Sequence, residues 1–189
     1  MQVSLLKTIL DHNEQFVASE QYKKYETTKF PDKKLVILTC MDTRLHDLLP
    51  AAMNIKQGDA KVIKNAGAVI SHPFGSVMRS ILVALYALKA DEVMIIGHHQ
   101  CGMAGLESSN ILDLAESRGV NMDSIKDLEF VGVDIDQFLT GFQSVEESVE
   151  HSVSMVRKHP LMPDDVPVHG LVIHPETGKL DLVSSGYKL

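Results

Sequence analysis

The chain has 189 residues, of which 44% are hydrophobic and 23% charged, a balance typical of a globular protein that buries a core. Its formal net charge is -7 and its lysines and arginines are scattered, so it lacks the basic patch that nucleic acids and anionic membranes require. The sequence also contains no leader pattern and no apolar run of about 18 residues. We therefore expect a cytoplasmic protein without a nucleic-acid or membrane partner.

The two cysteines, Cys40 and Cys101, are too few for the disulfide framework of a small secreted domain. In a reducing compartment both stay free thiols, which are available as metal ligands or nucleophiles. The sequence has no internal repeat, low-complexity tract or interdomain linker. We therefore expect residues 1–189 to form a single α/β domain.

The first 25 residues carry apolar side chains at helical spacing, which predicts an amphipathic helix from about residue 4 to residue 25. We expect the apolar face of this helix to pack on a partner subunit. A turn at Phe30-Pro31-Asp32 follows. It leads into residues 34–39, a short apolar run with the pattern of a buried parallel strand.

The remaining elements are predicted in alternating order along the chain. Short runs rich in β-branched residues predict four more strands, at 61–65, 92–97, 168–174 and 179–183. Helical spacing predicts helices at 45–53, 77–89, 104–117, 134–142 and 144–158. The last of these begins with the capping-box pair Ser144 and Glu147. The fold class is α/β, with a central, mostly parallel sheet of about four strands plus an antiparallel edge strand, flanked by helices.

Both cysteines follow predicted strands, where ligands collect in open α/β sheets. Cys40 ends the first strand, and the strand at 92–97 runs directly into His98-His99-Gln100-Cys101. Thiolate and imidazole are natural zinc ligands, and the His-x-x-Cys spacing lets two of them bind one ion. Cys40 would be the third ligand. Because the chain has no third cysteine to complete a structural set, three ligands predict a catalytic site with an open position.

Asp42 and Arg44 follow Cys40 at two-residue steps, so in an extended chain they share its face. Two arrangements are consistent with this spacing. In one, Asp42 binds the metal as a fourth ligand and blocks it. In the other, Arg44 holds Asp42 in a bidentate pair and water takes the fourth place, which would be the active form.

Two other enzyme classes fit the spacing less well. Cysteine phosphatases place five residues between cysteine and arginine, whereas Cys40 and Arg44 are separated by three. A dithiol redox protein would leave His98 without a role, and neither cysteine lies in a Cys-x-x-Cys motif.

The motifs Cys40-x-Asp42-x-Arg44 and His98-x-x-Cys101-Gly102 resemble those of the β-class carbonic anhydrases, and Lys64-Asn65-Ala66-Gly67 is similar to a loop of that family. The likeness is close over residues 35–103 and points to the shorter, archaeal-type branch. It implies a carbonate dehydratase, a lyase that hydrates carbon dioxide reversibly to bicarbonate by metal-bound hydroxide. It also implies a homodimer or higher homo-oligomer.

The resemblance implies Zn²⁺ held by Cys40, His98 and Cys101, with Asp42 and Arg44 as the catalytic pair and Asp42 as a fourth ligand in a closed state. Lys64 stands where the family often has arginine, and the glutamine of plant-type members is absent. Two alternatives stay open: a non-catalytic zinc-binding or sensing module, and a hydrolase of carbon disulfide or carbonyl sulfide. The proton-relay candidates are His46, His72 and His99. Candidate pocket-lining groups are the amide of Gly102 and residues 65–68.

Overall fold

A five-stranded sheet forms the centre of the computed structural model, which describes residues 4–187. Its spatial order is β2-β1-β3-β4-β5, with the first four strands parallel and β5 antiparallel to β4. The strands are β1 (Leu35–Cys40), β2 (Ala60–Asn65), β3 (Glu92–His98), β4 (Val168–Ile173) and β5 (Leu180–Ser184). The predicted fold class is confirmed.

The central strands are buried on both faces, which explains why their sequences are continuous apolar runs. Every residue of β1 is buried, and β3 is buried from Ile95 to its end. β1 lies between β2 and β3, pairing Cys40 with Asn65 on one side and Thr39 with Ile96 on the other. The ends of β1 and β3 therefore open at the same edge of the sheet.

The described residues form seven α-helices, three of which cover the two faces of the sheet. They are α1 (Leu5–Ala18), α2 (Leu45–Ala52), α3 (Ser76–Leu88), α4 (Ser108–Ser117), α5 (Asp123–Phe130), α6 (Ile135–Leu139) and α7 (Val145–Arg157). Short 3-10 turns occupy Gln21–Tyr25 and Ala66–Ala68. The predicted N-cap of α7 is confirmed, because the Ser144 hydroxyl accepts the N–H of Glu147 at 3.2 Å.

Two apolar clusters hold these layers together. One cluster joins α3 and α7 to one face of the sheet, through buried residues such as Ile81 and Val153. The other joins α2 to the opposite face, and it includes Leu45, Cys40 and Cys101. Gly97 on β3 lets α7 approach closely, since a Cβ there would lie 2.8 Å from Val149. Both cysteines are thus buried as part of the core.

Some boundaries differ from the sequence predictions. The first helix ends at Ala18 rather than near residue 25, because Glu20 adopts a left-handed backbone with φ 55°. The helix predicted at 104–117 begins at Ser108, and the one predicted at 134–142 is confined to Ile135–Leu139. Helix α5 was not predicted. Residues 1–3 and 188–189 of the predicted domain lie outside the described residues.

Within residues 4–187, no helix is both long and apolar enough to cross a lipid bilayer.

Candidate metal centre

Three potential metal ligands converge at the carboxyl edge of the sheet. Cys40 is the last residue of β1, and His98 is the last residue of β3. Cys101 follows in the loop after β3, and all three side chains are buried. Their ligand atoms lie within 4.8 Å of one another, and the two sulfur atoms are 3.9 Å apart. The fold therefore brings together the Cys-His-Cys set of a metal site.

The imidazole of His98 is oriented for coordination. Its Nδ1–H donates to the backbone carbonyl of His99 at 2.8 Å, which fixes the tautomer. Its Nε2 is buried and has no hydrogen-bond partner among the residues that the structure describes. A buried polar atom without a partner is costly. A cation between the three ligand atoms would satisfy it, so the donor set fits a bound metal ion.

The two thiols influence each other and are polarised by nearby amides. The hydrogen bond from Cys101 lowers the pKa of Cys40 to about 4, against the opposing effect of burial, and His98 and the Gly67 amide add to the lowering. The Gly67 N–H lies 3.3 Å from Cys40 Sγ. The same contact and burial raise the pKa of Cys101. Burial is the largest single influence on the pKa of His98 and lowers it, but Cys40, the His99 carbonyl and Asp42 together raise the pKa by more, so the net direction is upward.

Asp42 and Arg44 form the bidentate pair expected for the open arrangement. Arg44 Nε donates to Asp42 Oδ1 at 3.0 Å, and Nη2 donates to Oδ2 at 2.8 Å. The backbone N–H of Arg44 also donates to Oδ1 at 2.9 Å. These hydrogen bonds lower the pKa of Asp42 to about 2. The carboxylate is therefore ionised at neutral pH, with Oδ2 only 3.8 Å from His98 Nε2.

Two polar residues that the sequence did not single out extend this pair. Gln100 accepts hydrogen bonds from Arg44 through both its side chain and its backbone carbonyl. Its amide nitrogen lies 3.5 Å from Glu176, which belongs to the turn after β4. Gln100 lies between His98 and Cys101 in the second motif. That position was the only feature of the sequence that indicated a place near the site.

Of the predicted pocket-lining groups, one residue of the 65–68 loop contacts the Cys40 sulfur. Gly67, in the 65–68 loop, has φ 78° and points its N–H at Cys40. A Cβ at Gly67 would lie 3.0–3.2 Å from Phe142, Val69 and Met103, so an apolar wall stands beside the sulfur ligand. We predicted that the backbone amide of Gly102 lines the site. In the structure it is the backbone amide of Met103 that hydrogen-bonds to Cys101. The apolar wall was missed because Phe142 is remote in sequence.

The three histidines named as proton-relay candidates lie apart from one another. His46 Nδ1 is 3.3 Å from Lys64 Nζ, at an exposed position on α2. His72 accepts the N–H of Phe74, and His99 packs its ring 5.8 Å from that of His174. The relay assignment stays a prediction.

Comparison with known proteins decides the family. A family model described as carbonic anhydrase matches residues 35–180, most of the chain. The crystal structure of β-carbonic anhydrase isoform I from Trichomonas vaginalis superposes with a TM-score of 0.87 and 33% identity, covering 98% of this chain and 100% of that one. The chain belongs to the β-class carbonic anhydrase family.

Curated relatives of this β-class carbonic anhydrase carry two kinds of name. The Bacillus subtilis (strain 168) protein named "Putative carbonic anhydrase YvdA" is 63% identical over 187 residues, 99% of this chain and 95% of its own length. A protein named carbon disulfide hydrolase, from Acidithiobacillus thiooxidans, is 29% identical over 79% of this chain and 76% of its own length. The family resemblance seen in the sequence is confirmed.

Proposed function

We propose that this carbonic anhydrase hydrates carbon dioxide reversibly to bicarbonate at a zinc ion held by Cys40, His98 and Cys101. The observation that carries the proposal is the free Nε2 of His98 facing two sulfur atoms, beside an ionised carboxylate. Two thiolates and one imidazole are a typical zinc donor set. Two sulfurs on one tetrahedral zinc at about 2.3 Å lie about 3.8 Å apart, and the sulfur separation here is 3.9 Å.

When bound, the zinc ion supplies a Lewis acid that makes water a nucleophile near neutral pH. The chain's own residues then orient the reactants. The Asp42 carboxylate accepts a hydrogen bond from the attacking oxygen and turns a lone pair of that oxygen towards the substrate carbon. Arg44 keeps Asp42 ionised and holds both of its oxygens in place.

The apolar wall formed by Val69, Met103 and Phe142 supports carbon dioxide as the substrate. These side chains surround Gly67, whose amide contacts the Cys40 sulfur. Carbon dioxide is small and has no net dipole, so an apolar surface beside the ion binds it without demanding a hydrogen-bond partner. Bicarbonate is charged and hydrated, and it is therefore released more readily from this surface.

Stopped-flow hydration of carbon dioxide, on protein whose metal content has been quantified, tests the function at pH 7 and pH 8.5. One zinc per chain with turnover far above the buffer rate is the expected result, and Cys40→Ser provides the inactive control. Hydrolysis of carbon disulfide and carbonyl sulfide is assayed in parallel, because of the carbon disulfide hydrolase relatives. Turnover of these compounds alone would replace the proposed substrate. One zinc without any turnover would favour a sensing module.

We also propose that residues 1–189 act as one domain that pairs with a second copy through α1. No residue of α1 is buried within the part of the chain that the structure describes. Its apolar residues are 52% to 76% exposed, namely Leu5, Leu6, Ile9, Leu10 and Val17. A helix of 14 residues is marginal in water unless its apolar face is covered. The edge strand β2 offers an apolar groove that includes Val62 to receive it.

A further inference from the structure

Gln100 accepts hydrogen bonds from the guanidinium edge of Arg44 that adjoins the edge bound to Asp42. The guanidinium gives two hydrogen bonds to Asp42, through Nε and Nη2. It gives two more to Gln100, from Nη1 to Oε1 at 3.1 Å and from Nη2 to the backbone carbonyl at 3.0 Å. A planar guanidinium held from two sides cannot rotate without breaking bonds on both.

The backbone of Gln100 is in an uncommon conformation that makes these contacts. Its φ is +56°, in the left-handed region that residues with a Cβ rarely adopt. Such strain persists only where the surroundings fix it, and it is frequent at functional sites. Here it occurs inside the His98–Cys101 loop and turns both acceptors of Gln100 towards the same guanidinium.

The amide of Gln100 also connects Arg44 to a second carboxylate. Its oxygen accepts from Arg44, while its nitrogen lies 3.5 Å from Glu176 Oε1, at the limit of a hydrogen bond. A side-chain amide carries an acceptor and a donor on two separate atoms, so Gln100 can contact both groups at once. The carboxylate of Glu176 therefore favours the amide orientation that presents the oxygen to Arg44.

We propose that Gln100 is a positioning residue: it fixes Arg44, and through Arg44 it holds the Asp42 carboxylate beside the metal ligands. Asp42 Oδ2 is 3.8 Å from His98 Nε2, so a small rotation changes what that oxygen contacts. Without the Gln100 contacts, the guanidinium turns and the carboxylate loses its fixed direction. The catalytic consequence rests on the proposed hydration reaction, whereas the effect on Arg44 does not.

A double-mutant cycle tests whether Gln100 acts through Arg44. Gln100→Leu removes both side-chain hydrogen-bonding groups at similar size. We expect it to retain one metal equivalent and to lower kcat for hydration by roughly ten- to a hundredfold, because a misplacement of about 1 Å can cost the upper value. In an Arg44→Ala background the same change should have no further effect. Gln100→Glu keeps the acceptor for Nη1 and should restore most of kcat, and Gln137→Ala, an exposed change on α6, is the control.

Hydrogen exchange of the arginine Nε–H groups provides a readout independent of turnover. The sequence has four arginines, Arg44, Arg79, Arg118 and Arg157, so their ¹⁵N resonances can be assigned by substitution. In the metal-loaded protein, Gln100→Leu should accelerate exchange at Arg44 by tenfold or more and leave the other three unchanged. Gln100→Ala repeats the measurement should the leucine variant misfold.

Two results would overturn the proposal. One is unchanged exchange at Arg44 in a folded Gln100 variant. The other is an equal loss of kcat in the wild-type and Arg44→Ala backgrounds, which would indicate a general structural role. If the wild-type protein turns over no carbon dioxide, the proposed function fails, and the exchange rates still decide whether Gln100 holds Arg44.

Discussion

The Asp42 carboxylate stands 3.8 Å from the Nε2 atom of His98 while both of its oxygens are bound by Arg44. The imidazole nitrogen is the one left free for a metal ion. Asp42 therefore lies close enough to contact either an ion bound there or a molecule beside that ion, and we expect Arg44 to determine which of the two contacts forms. The two arrangements predicted from the Cys40-x-Asp42-x-Arg44 spacing thus differ in whether the Arg44 guanidinium binds the Asp42 carboxylate.

Asp42→Asn should keep the metal and lose most of the activity. The amide has the shape of the carboxylate but lacks its charge, so it accepts a weaker hydrogen bond and no longer pairs with Arg44. We expect kcat to fall about a hundredfold, the range of a lost general acid–base or orienting group, with one metal ion still bound per chain. The control is Asp47→Asn, at a side chain that is 99% exposed. Wild-type turnover in Asp42→Asn would remove this residue from the mechanism.

Replacing either sulfur ligand should remove the metal. In Cys40→Ser and Cys101→Ser a hydroxyl replaces a thiolate, which weakens the site for zinc because the softer ligand is lost. Metal content measured by mass spectrometry should fall well below one equivalent in both. His98→Gln should behave in the same way, whereas the control His174→Gln, outside the cluster, should retain the ion. Full occupancy in both cysteine variants would contradict the ligand assignment.

The strands and the clustering of Cys40, His98 and Cys101 at their ends were predictable, because the sequence signals of the strands are local. β1 is buried at every position, so its sequence is a continuous apolar run, and its end marks Cys40. The sequence of helix α5 gave no comparable indication of a helix, because its eight residues include few apolar ones and, among the described residues, the helix does not pack on the sheet. The end of α1 also lacked a glycine or proline, and its C-cap is Ser19, whose hydroxyl bonds to the carbonyl of Gln15.

The polar shell around the metal ligands could not be predicted, because it depends on contacts between distant residues. Gln100 meets Arg44 across 56 positions of sequence, and Glu176 lies another 76 positions away. The left-handed backbone that allows the contact with Arg44 occurs at Gln100, and a glutamine in the sequence does not indicate a positive φ. The apolar wall at Gly67 has the same origin, since Phe142 arrives there from the segment between α6 and α7.

The metal-free protein should titrate its two thiols in widely separated steps. The hydrogen bond from Cys101 lowers the pKa of Cys40 to about 4, while the same contact and burial raise the pKa of Cys101. After chelation, absorbance near 240 nm should correspond to one thiolate from pH 6 up to about pH 9, below the range in which the four tyrosines ionise and absorb at the same wavelength. The chain has no third cysteine to obscure the signal.

Substitution of one thiol should shift the other, which provides the control for this titration. Cys101→Ala removes the largest cause of the lowering, so the pKa of Cys40 should rise. Cys40→Ala should lower the pKa of Cys101, because the neighbouring thiolate is gone. Equal titration of both thiols near their usual pKa in the wild-type protein would show that the sulfur atoms do not interact.

Stability should decline as the pH falls below about 6.5, in part because of His169. This ring is buried, its Nδ1 accepts the N–H of Gly186, and its Nε2 lies 3.2 Å from Glu92. Burial and Arg157 lower the pKa of His169, against the opposing effect of Glu92. Above pH 6.5 the His169 ring is neutral in the folded and in the unfolded chain. At lower pH the ring takes up a proton first in the unfolded chain, where its pKa is higher. Stability is therefore lost as the pH falls towards the folded-state pKa.

Denaturant unfolding at pH 7.5, 6.5 and 5.5, at one protein concentration, measures this contribution. His169→Gln keeps an acceptor for Gly186 but cannot titrate. The difference in the free energy of unfolding between the wild type and this variant should decrease as the pH falls, by at most about 1.4 kcal/mol per pH unit. His151→Gln, which removes an exposed histidine from α7, is the control. A difference that stays constant or grows at lower pH would show that His169 does not contribute in this way.

Ile9→Glu on α1 should dissociate the proposed dimer. Ile9 is 56% exposed in one chain, and a second copy covering it would bury apolar area worth about 1.5–3 kcal/mol. A carboxylate at that position loses this contribution and adds the cost of desolvating a charge. Light scattering should show the dissociation constant of the dimer rising by about a hundredfold or more. Helical circular dichroism should also decrease, because an uncovered α1 is marginal in water.

Gln15→Glu adds the same charge on the opposite face of α1 and should leave the dimer intact. A wild-type protein that is monomeric at micromolar concentration, or an unchanged constant in Ile9→Glu, would refute pairing through α1.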